Sequence, residues 1–411
     1  MISKEELYHL IPGIETVCIF DNNNKQNACG YRTYEWLGGF GVEEIIIDNE
    51  GNAFEKLQQK YHNDWWMGCL GYDLKNEIEK LQSDNYDGSD LPDIIFFKPQ
   101  VVIAETVDGL KFLKGDEAQL KELYYTPKNY FTTKNIQLHE RTTQERYIQS
   151  FEKIKQHIID GDVYELNYCM EFYAKDIIIN PFETWQKLNS TSPTPFAGFL
   201  SHTHYHLLCA SPERFLKKEN NKLIAQPIKG TIQRGKDEKE DEQFKQELYH
   251  NEKERSENVM IVDLMRNDLA KSSIAGSVKV EELFGIATFE KLHQMISTVT
   301  AEANPEINIY NIIRNAFPMG SMTGCPKIKA MELIEKYEDS KRGFYSGALG
   351  YITPTGDFDF NVVIRSIIYN AESKYLSFHA GSAITYEANA LSEYEECLLK
   401  TQSIRKTLNI L

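Results

Sequence analysis

The stretch GALGYITPTGDFDFNVVIRSIIYN, residues 347–370, sets two β-type runs on either side of a turn at Pro354 to Asp357. A connection that short returns the chain antiparallel beside itself. Alternation then puts Phe358, Phe360, Val362 and Ile364 on one face and Asp359, Asn361, Val363 and Arg365 on the other. Short strands broken by Gly, Asn and Asp recur from Thr16 to about Gly109, as in TVCIFDNNN, EEIIIDNEGN and DIIFFKPQVVIAETVDG. More are expected around VYELNYCMEFYA and FAGFLSHTHYHLLCASPERFLKK. Strands do not alternate regularly with helices and no Gly-rich nucleotide loop follows one, which argues against a doubly wound parallel sheet. The expected class is α+β, a large, mostly antiparallel β-sheet system flanked by helices.

The segment RTTQERYIQSFEKIKQHIIDGD reads as a helix. Thr142 and Glu145 have capping-box spacing, Tyr147, Phe151, Ile154 and Ile158 form one apolar face, and Gly161 stops it. The main boundary is placed just before it, giving an N-terminal β-rich subdomain, 1–135, and a larger unit, 136–411, although 411 residues also suit one interleaved fold. The charged run RGKDEKEDEQFKQELYHNEKERSEN reads as a solvated helix and loop, and NALSEYEECLLKTQSIRKTLNIL as a closing helix.

A formal charge of −16 disfavours nonspecific attraction to nucleic acid or an anionic membrane surface. An anionic substrate would need positive groups or a metal ion within its site. The seven cysteines, Cys18, Cys29, Cys69, Cys169, Cys209, Cys325 and Cys397, are scattered and never at zinc-ligand spacing, which suits a reducing compartment. With no apolar leader and no run of transmembrane length, a soluble cytoplasmic protein is expected.

In AQPIKGTIQRG, Lys229 sits in an apolar segment ending in a glycine turn, where burial should favour its neutral form. Glu213, in SPERF, lies on the preceding strand, and a turn at KENNK returns the chain, so carboxyl and amine can share a cleft or form a plain cross-strand ion pair. In the closing helix Glu393, Glu396 and Lys400 project from one face, and Glu254 and Glu257 repeat the spacing in another helix. Each set alone reads as a surface pattern; facing each other across two helices, such carboxylates could hold Mg²⁺. His202, His204 and His206 in SHTHYH lack a carboxylate or Cys at ligand spacing and read as an exposed turn. Cys69 in MGCLGYD lacks the glycine two residues earlier that a nucleophile elbow needs, since Met67 stands there, and reads as structural.

Seven stretches in order, SPERF, PIKGT, ERSENVMIVDLMRNDLA, FPMGSMTGCPKIKAMELIE, RGFYSGALGYI, GDFDFNVVIRS and SEYEECLLK, resemble the chorismate-utilising enzymes over roughly the last two thirds of the chain. The resemblance implies an anthranilate synthase component I-like fold, with 136–411 as the chorismate-binding catalytic domain. Lys229 in PIKGT resembles the para-aminobenzoate (aminodeoxychorismate synthase) branch, where anthranilate synthases carry alanine. For that branch it implies a lysine attacking C2 of chorismate while a glutamic acid protonates the departing C4 hydroxyl; ammonia then enters at C4 and expels the lysine. Carried over, Lys229 is the nucleophile and Glu213 the acid, Glu257 and Glu396 are Mg²⁺ ligands, and Lys400 lies near the ring carboxylate. Tyr345 and Arg365, on the two hairpin strands, grip the pyruvyl carboxylate, and His293 and Thr323 lie beside the ring. The chain departs from the family in GSAI, where Gly381 keeps a glycine but Ser382 and Ala383 replace two, and at Glu165, where aminating relatives usually carry glutamine and isochorismate synthases a lysine. The resemblance further implies ammonia from a separate glutaminase subunit and a role in folate synthesis. Anthranilate synthase is the alternative, with isochorismate synthase behind it.

Overall fold

The structure is a computed structural model and describes residues 2–23, 30–31, 34–49, 51–60, 63–125, 132–290 and 292–410; Cys29 lies outside the described residues. Among these the strands form two sheets, one of 11 strands and one of 10, and every pairing between strands is antiparallel. This is the expected α+β class. The 11-stranded sheet is buried on both faces: in Thr16–Asp21, Val17 and Ile19 pack against the flanking helices while Cys18 joins the core facing the second sheet. Tyr205–Ser211 divides likewise, Leu208 and Ala210 to the helices, Leu207 and Cys209 inward. Burial on two sides is why such strands read as continuous apolar runs rather than alternating ones.

The N-terminal third adds strands to both sheets. Thr16–Asp21 pairs with Phe196–His202, and Trp66–Leu70 pairs with Ala348–Ile352. The chain changes sheet at four short connections. It passes from Trp36–Phe40 to Glu44–Asp48, from Ile94–Lys98 to Val101–Thr106, from Tyr205–Ser211 to Arg214–Glu219, and from Phe358–Val362 to Ser366–Asn370. The last two run side by side, joined where the Val362 amide donates to the Glu213 carbonyl at 3.0 Å.

The hairpin forms as expected, with Ile352 opposite Phe358. Its second strand ends at Val362, however, because the chain is already turning toward the other sheet; Arg365 sits in that turn at φ +51°. Tyr345 precedes the first strand, so the two lie beyond the ends of the hairpin strands rather than on them. The helix predicted over RTTQERYIQSFEKIKQHIIDGD is Gln144–Ile159 and ends at Gly161, φ +83°. Its cap is Thr143, whose hydroxyl accepts the Arg146 amide; Thr142 instead donates to Asp339. The charged run folds as Glu238–His250 and the start of Glu252–Ala270, and the second of these helices is drawn into the site rather than left to solvent.

The three histidines of SHTHYH do not converge. His202 pairs with Thr16, His204 with Glu372, and His206 is buried on Tyr369 rather than exposed. Cys69 is fully buried in Trp66–Leu70 with its thiol pushed well up by burial, as a structural cysteine should be.

Behind the site, Arg342 and Glu338, both buried, tie four segments together. The guanidinium donates to both Glu338 oxygens, to the carbonyls of Asn167 and Met322, and to the Ser346 hydroxyl, while Glu338 accepts the Cys169 amide. Removing one partner leaves a buried charge unpaired, so Arg342→Met is expected to lower the unfolding free energy by about 3–5 kcal/mol. Urea denaturation measures it; a loss under about 1 kcal/mol would show that the pair is dispensable.

Candidate active site

Lys229 is brought in by the edge strand Ile228–Gln233, which pairs with Leu292–Glu302. The register slips between Ile228 and Thr231, so the strand arches at Lys229 and Gly230. Gly230 has φ +84°, and a Cβ there would lie 3.0 Å from the Glu254 carboxylate and from Leu248. The glycine is thus required both by its backbone conformation and by the helix beneath it.

The arch presents Lys229 to three carboxylates from three places. Glu165, the first residue of Glu165–Ala174 on the other sheet, lies 2.5 Å from Nζ. Glu257, on Glu252–Ala270, lies at 3.7 Å. Glu213, in the neighbouring crossing between sheets, accepts from the Ile228 amide and the Ser321 hydroxyl and feels the lysine charge. Burial alone would drive Lys229 toward neutrality, as expected from sequence, but Glu165 and Glu257 outweigh it and hold the pKa above the ordinary lysine value. The substrate-free side chain is an ammonium, which corrects that expectation. Burial dominates for the acids: Glu213, 5 % exposed, and Glu257 are both pushed up to about 7.

A second cation, Lys253, stands among the glutamates of the two helices. Its Nζ is 3.5 Å from Glu393 and 3.9 Å from Glu257, and Glu254 and Glu396 also attract it. Glu396 is 44 % exposed at the rim; burial opposes its charge, but Lys400 at 2.7 Å keeps its pKa below the ordinary value. Lys400 also donates to the Gly381 carbonyl. This set of hard carboxylate oxygens on facing helices suits Mg²⁺, although among the described residues no three such side chains are already drawn to metal-ligand spacing.

Arg365 makes no hydrogen bond or ion pair among the described residues, and burial lowers its pKa. A desolvated guanidinium without a protein partner is ready for an anion. Tyr345 is buried, stacked on His379 with ring centroids 5.0 Å apart, its hydroxyl meeting, among the described residues, only the Cys169 sulfur at 3.9 Å.

Residues 15–406 match the family described as chorismate binding enzyme. The chain belongs to the chorismate-binding enzyme family. It is 34% identical over 385 residues to the chloroplastic aminodeoxychorismate synthase of Arabidopsis thaliana, a match spanning 87% of this chain and 41% of that one. It is 30% identical over 363 residues to aminodeoxychorismate synthase component 1 of Bacillus subtilis, spanning 84% and 77%. The fold overlays anthranilate synthase component I from Streptococcus pneumoniae TIGR4 with a TM-score of 0.78 at 24% identity, covering 89% and 91% of the two chains.

In this chorismate-binding enzyme, Lys229, Glu213, Glu257, Glu396 and Lys400 share one electrostatic cluster. The remaining residues picked from sequence are placed differently. His293 is fully buried, its ring nitrogens engaged by Thr288 and Asp241. Thr323 caps a turn through its hydroxyl, and its carbonyl accepts the Asn167 amide. Ser382 is buried with its hydroxyl on Tyr147, and Gly381 is needed because a Cβ would meet the Cys169 sulfur at 2.4 Å. Sequence reasoning missed Lys253 and Ser321; the only signal was their position beside Glu254 and Thr323.

The Glu213 shift has a stability consequence. Between about pH 4.5 and 7 the native state keeps a proton that the unfolded chain has lost, so stability falls as pH rises through that window. Glu213→Gln removes this titration, and the variant is expected to gain about 1–3 kcal/mol relative to wild type between pH 5 and pH 8. Urea unfolding at both pH values checks it; a pH-independent difference would contradict a neutral buried Glu213.

Proposed function

We propose that this chain is the chorismate-aminating component of an aminodeoxychorismate synthase. The observation that carries the reading is that buried Lys229 and buried Glu213, whose carboxyl burial pushes up to about 7, lie close enough to feel each other's charge. The activity in the names of the Arabidopsis and Bacillus relatives supports it. Lys229 first passes its ammonium proton to the Glu165 carboxylate in contact with it and then bonds to C2 of chorismate through the freed lone pair, while Glu213 gives its proton to the C4 hydroxyl, which leaves as water. Ammonia then bonds at C4, and the C2–nitrogen bond breaks to return the lysine and release 4-amino-4-deoxychorismate with its pyruvyl group intact. Arg365 holds the pyruvyl carboxylate, with Tyr345 beside it. Bound between Glu257 and Glu396, Mg²⁺ would anchor the ring carboxylate and offset the negative charge around the substrate.

A component of this kind draws ammonia from a glutaminase partner, and the product feeds para-aminobenzoate and folate synthesis. Six free cysteines among the described residues suit a reducing cytoplasm. No helix among those residues is long and apolar enough to cross a membrane.

The test is the mass of the product from chorismate, ammonium chloride and Mg²⁺. A product with the C4 hydroxyl exchanged for an amine is expected, turnover lost in Lys229→Ala, and kcat lowered about 10²–10⁴-fold in Glu213→Gln. Anthranilate fluorescence without an added lyase would assign the chain to anthranilate synthesis, and a product formed equally well without ammonium to isochorismate synthesis. Binding without turnover would leave a chorismate sensor.

A further inference from the structure

Tyr345 is fixed firmly at its backbone and loosely at its hydroxyl. The main chain makes a tight turn there, in which the Tyr345 amide donates to the Arg342 carbonyl at 3.0 Å and Ser346 takes φ +63°. The phenol is buried, and among the described residues its oxygen meets only the Cys169 thiol at 3.9 Å. A thiol is a weak donor, and a buried tyrosine hydroxyl usually finds a firmer partner. The two side-chain torsions, and with them the direction of the hydroxyl, are therefore left to contacts made by the ring.

His379 supplies such a contact. It lies on Tyr375–Ile384, where Leu376, Phe378 and Ala380 pack toward the helices, so His379 and Gly381 project from the opposite face of the strand. The imidazole meets the Tyr345 ring with centroids 5.0 Å apart and planes 19° from parallel. It is anchored in turn. Its strand pairs with Glu165–Ala174, His379 opposite Glu171, and its Nε2 lies 3.4 Å from the Ser340 hydroxyl. Burial, together with the charge of Arg342, pushes His379 down to about 3, so at neutral pH the ring is uncharged and does not duplicate the guanidinium of Arg365.

We propose that His379 is a positioning residue for Tyr345: its ring face sets the plane of the phenol and so aims, at the substrate carboxylate, a hydroxyl that no strong hydrogen bond holds. This rests on the amination reading, which puts the pyruvyl carboxylate at Tyr345 and Arg365. That carboxylate takes no part in the bonds that form and break at C2 and C4. Its grip is made alike in the ground state and the transition state, so loss of aim acts on KM rather than on kcat.

Two substitutions separate the ring from its nitrogens. His379→Gln keeps a polar reach toward Ser340 without a ring, and His379→Phe keeps a ring without nitrogens. Both are measured on the full chain by the rate of aminated product, with Mg²⁺ and saturating ammonium chloride. His379→Gln is expected to raise the KM for chorismate about three- to tenfold with kcat held within about twofold, and His379→Phe to leave both constants within about twofold of wild type. Tyr345→Phe is expected to raise KM by itself, and adding His379→Gln to it to change KM by no more than about twofold, because the hydroxyl being aimed is gone. The proposal is overturned if the effect of His379→Gln persists undiminished in the Tyr345→Phe background. It is also overturned if His379→Phe raises KM as far as His379→Gln does, because the imidazole then acts through its nitrogens. Should His379→Gln fail to fold, His379→Phe still decides, by a KM like wild type or a raised one. A KM untouched by Tyr345→Phe would remove the carboxylate from Tyr345, and absence of aminated product from the wild type would reject the amination reading. Both results are distinct from a KM that responds to Tyr345 and not to His379.

Discussion

Two antiparallel strands pass from one sheet into the other side by side, and the hydrogen bond from the Val362 amide to the Glu213 carbonyl joins them where they cross. Each crossing breaks the strand for a few residues, and the interruptions hold Glu213 in one and Arg365 in the other. A regular strand would send alternate side chains into two filled cores. The interruption frees Glu213 and Arg365 from that alternation. The arch at Lys229 and Gly230 does the same for the amine on the next strand but one. The site is thus assembled where the sheet pattern fails, and the Arg342 and Glu338 pair fixes the segments behind it.

Burial and charge act in opposite senses on neighbouring groups of this cluster. The same low-dielectric surroundings that keep Glu213 protonated near neutrality would strip the proton from Lys229, were Glu165 and Glu257 absent. The substrate-free site therefore sets a carboxyl pushed up to about 7 beside a charged amine, and on the proposed reading the amine must lose its proton before it can attack. On the proposed reading, a cation taken up by Glu257 would weaken its hold on Lys229 and so link metal binding to the reactivity of that amine. The chain's net charge of −16 makes such local positive groups the means by which an anionic substrate is received.

Most of the fold was legible because its grammar is local. The Pro354 to Asp357 turn, the cap-and-glycine signals around Gln144–Ile159 and the turn at Asn220 each depend on residues within a few positions. The changes of sheet were not, since a crossing at Pro212 and Glu213 leaves the same apolar run as an uninterrupted hairpin. That is why Arg365 and Tyr345 were assigned to strands that stop short of them. The family resemblance supplied Lys229, Glu213, Glu257 and Glu396. It gave no warning that Glu165 would sit against the nucleophile, because that contact spans two sheets and 64 positions. The charged run was read as solvated since the partner of its Lys253 is Glu393, on a helix far along the chain.

Peptide mass analysis after incubation with chorismate and Mg²⁺ in ammonium-free buffer reports most directly on whether Lys229 is the reacting nitrogen. The expected result is a gain equal to chorismate less one water on the peptide carrying Lys229, reversed when ammonium is added. Modification of Lys253 or Lys400 instead, or aminated product formed at the wild-type rate by Lys229→Ala, would contradict the account.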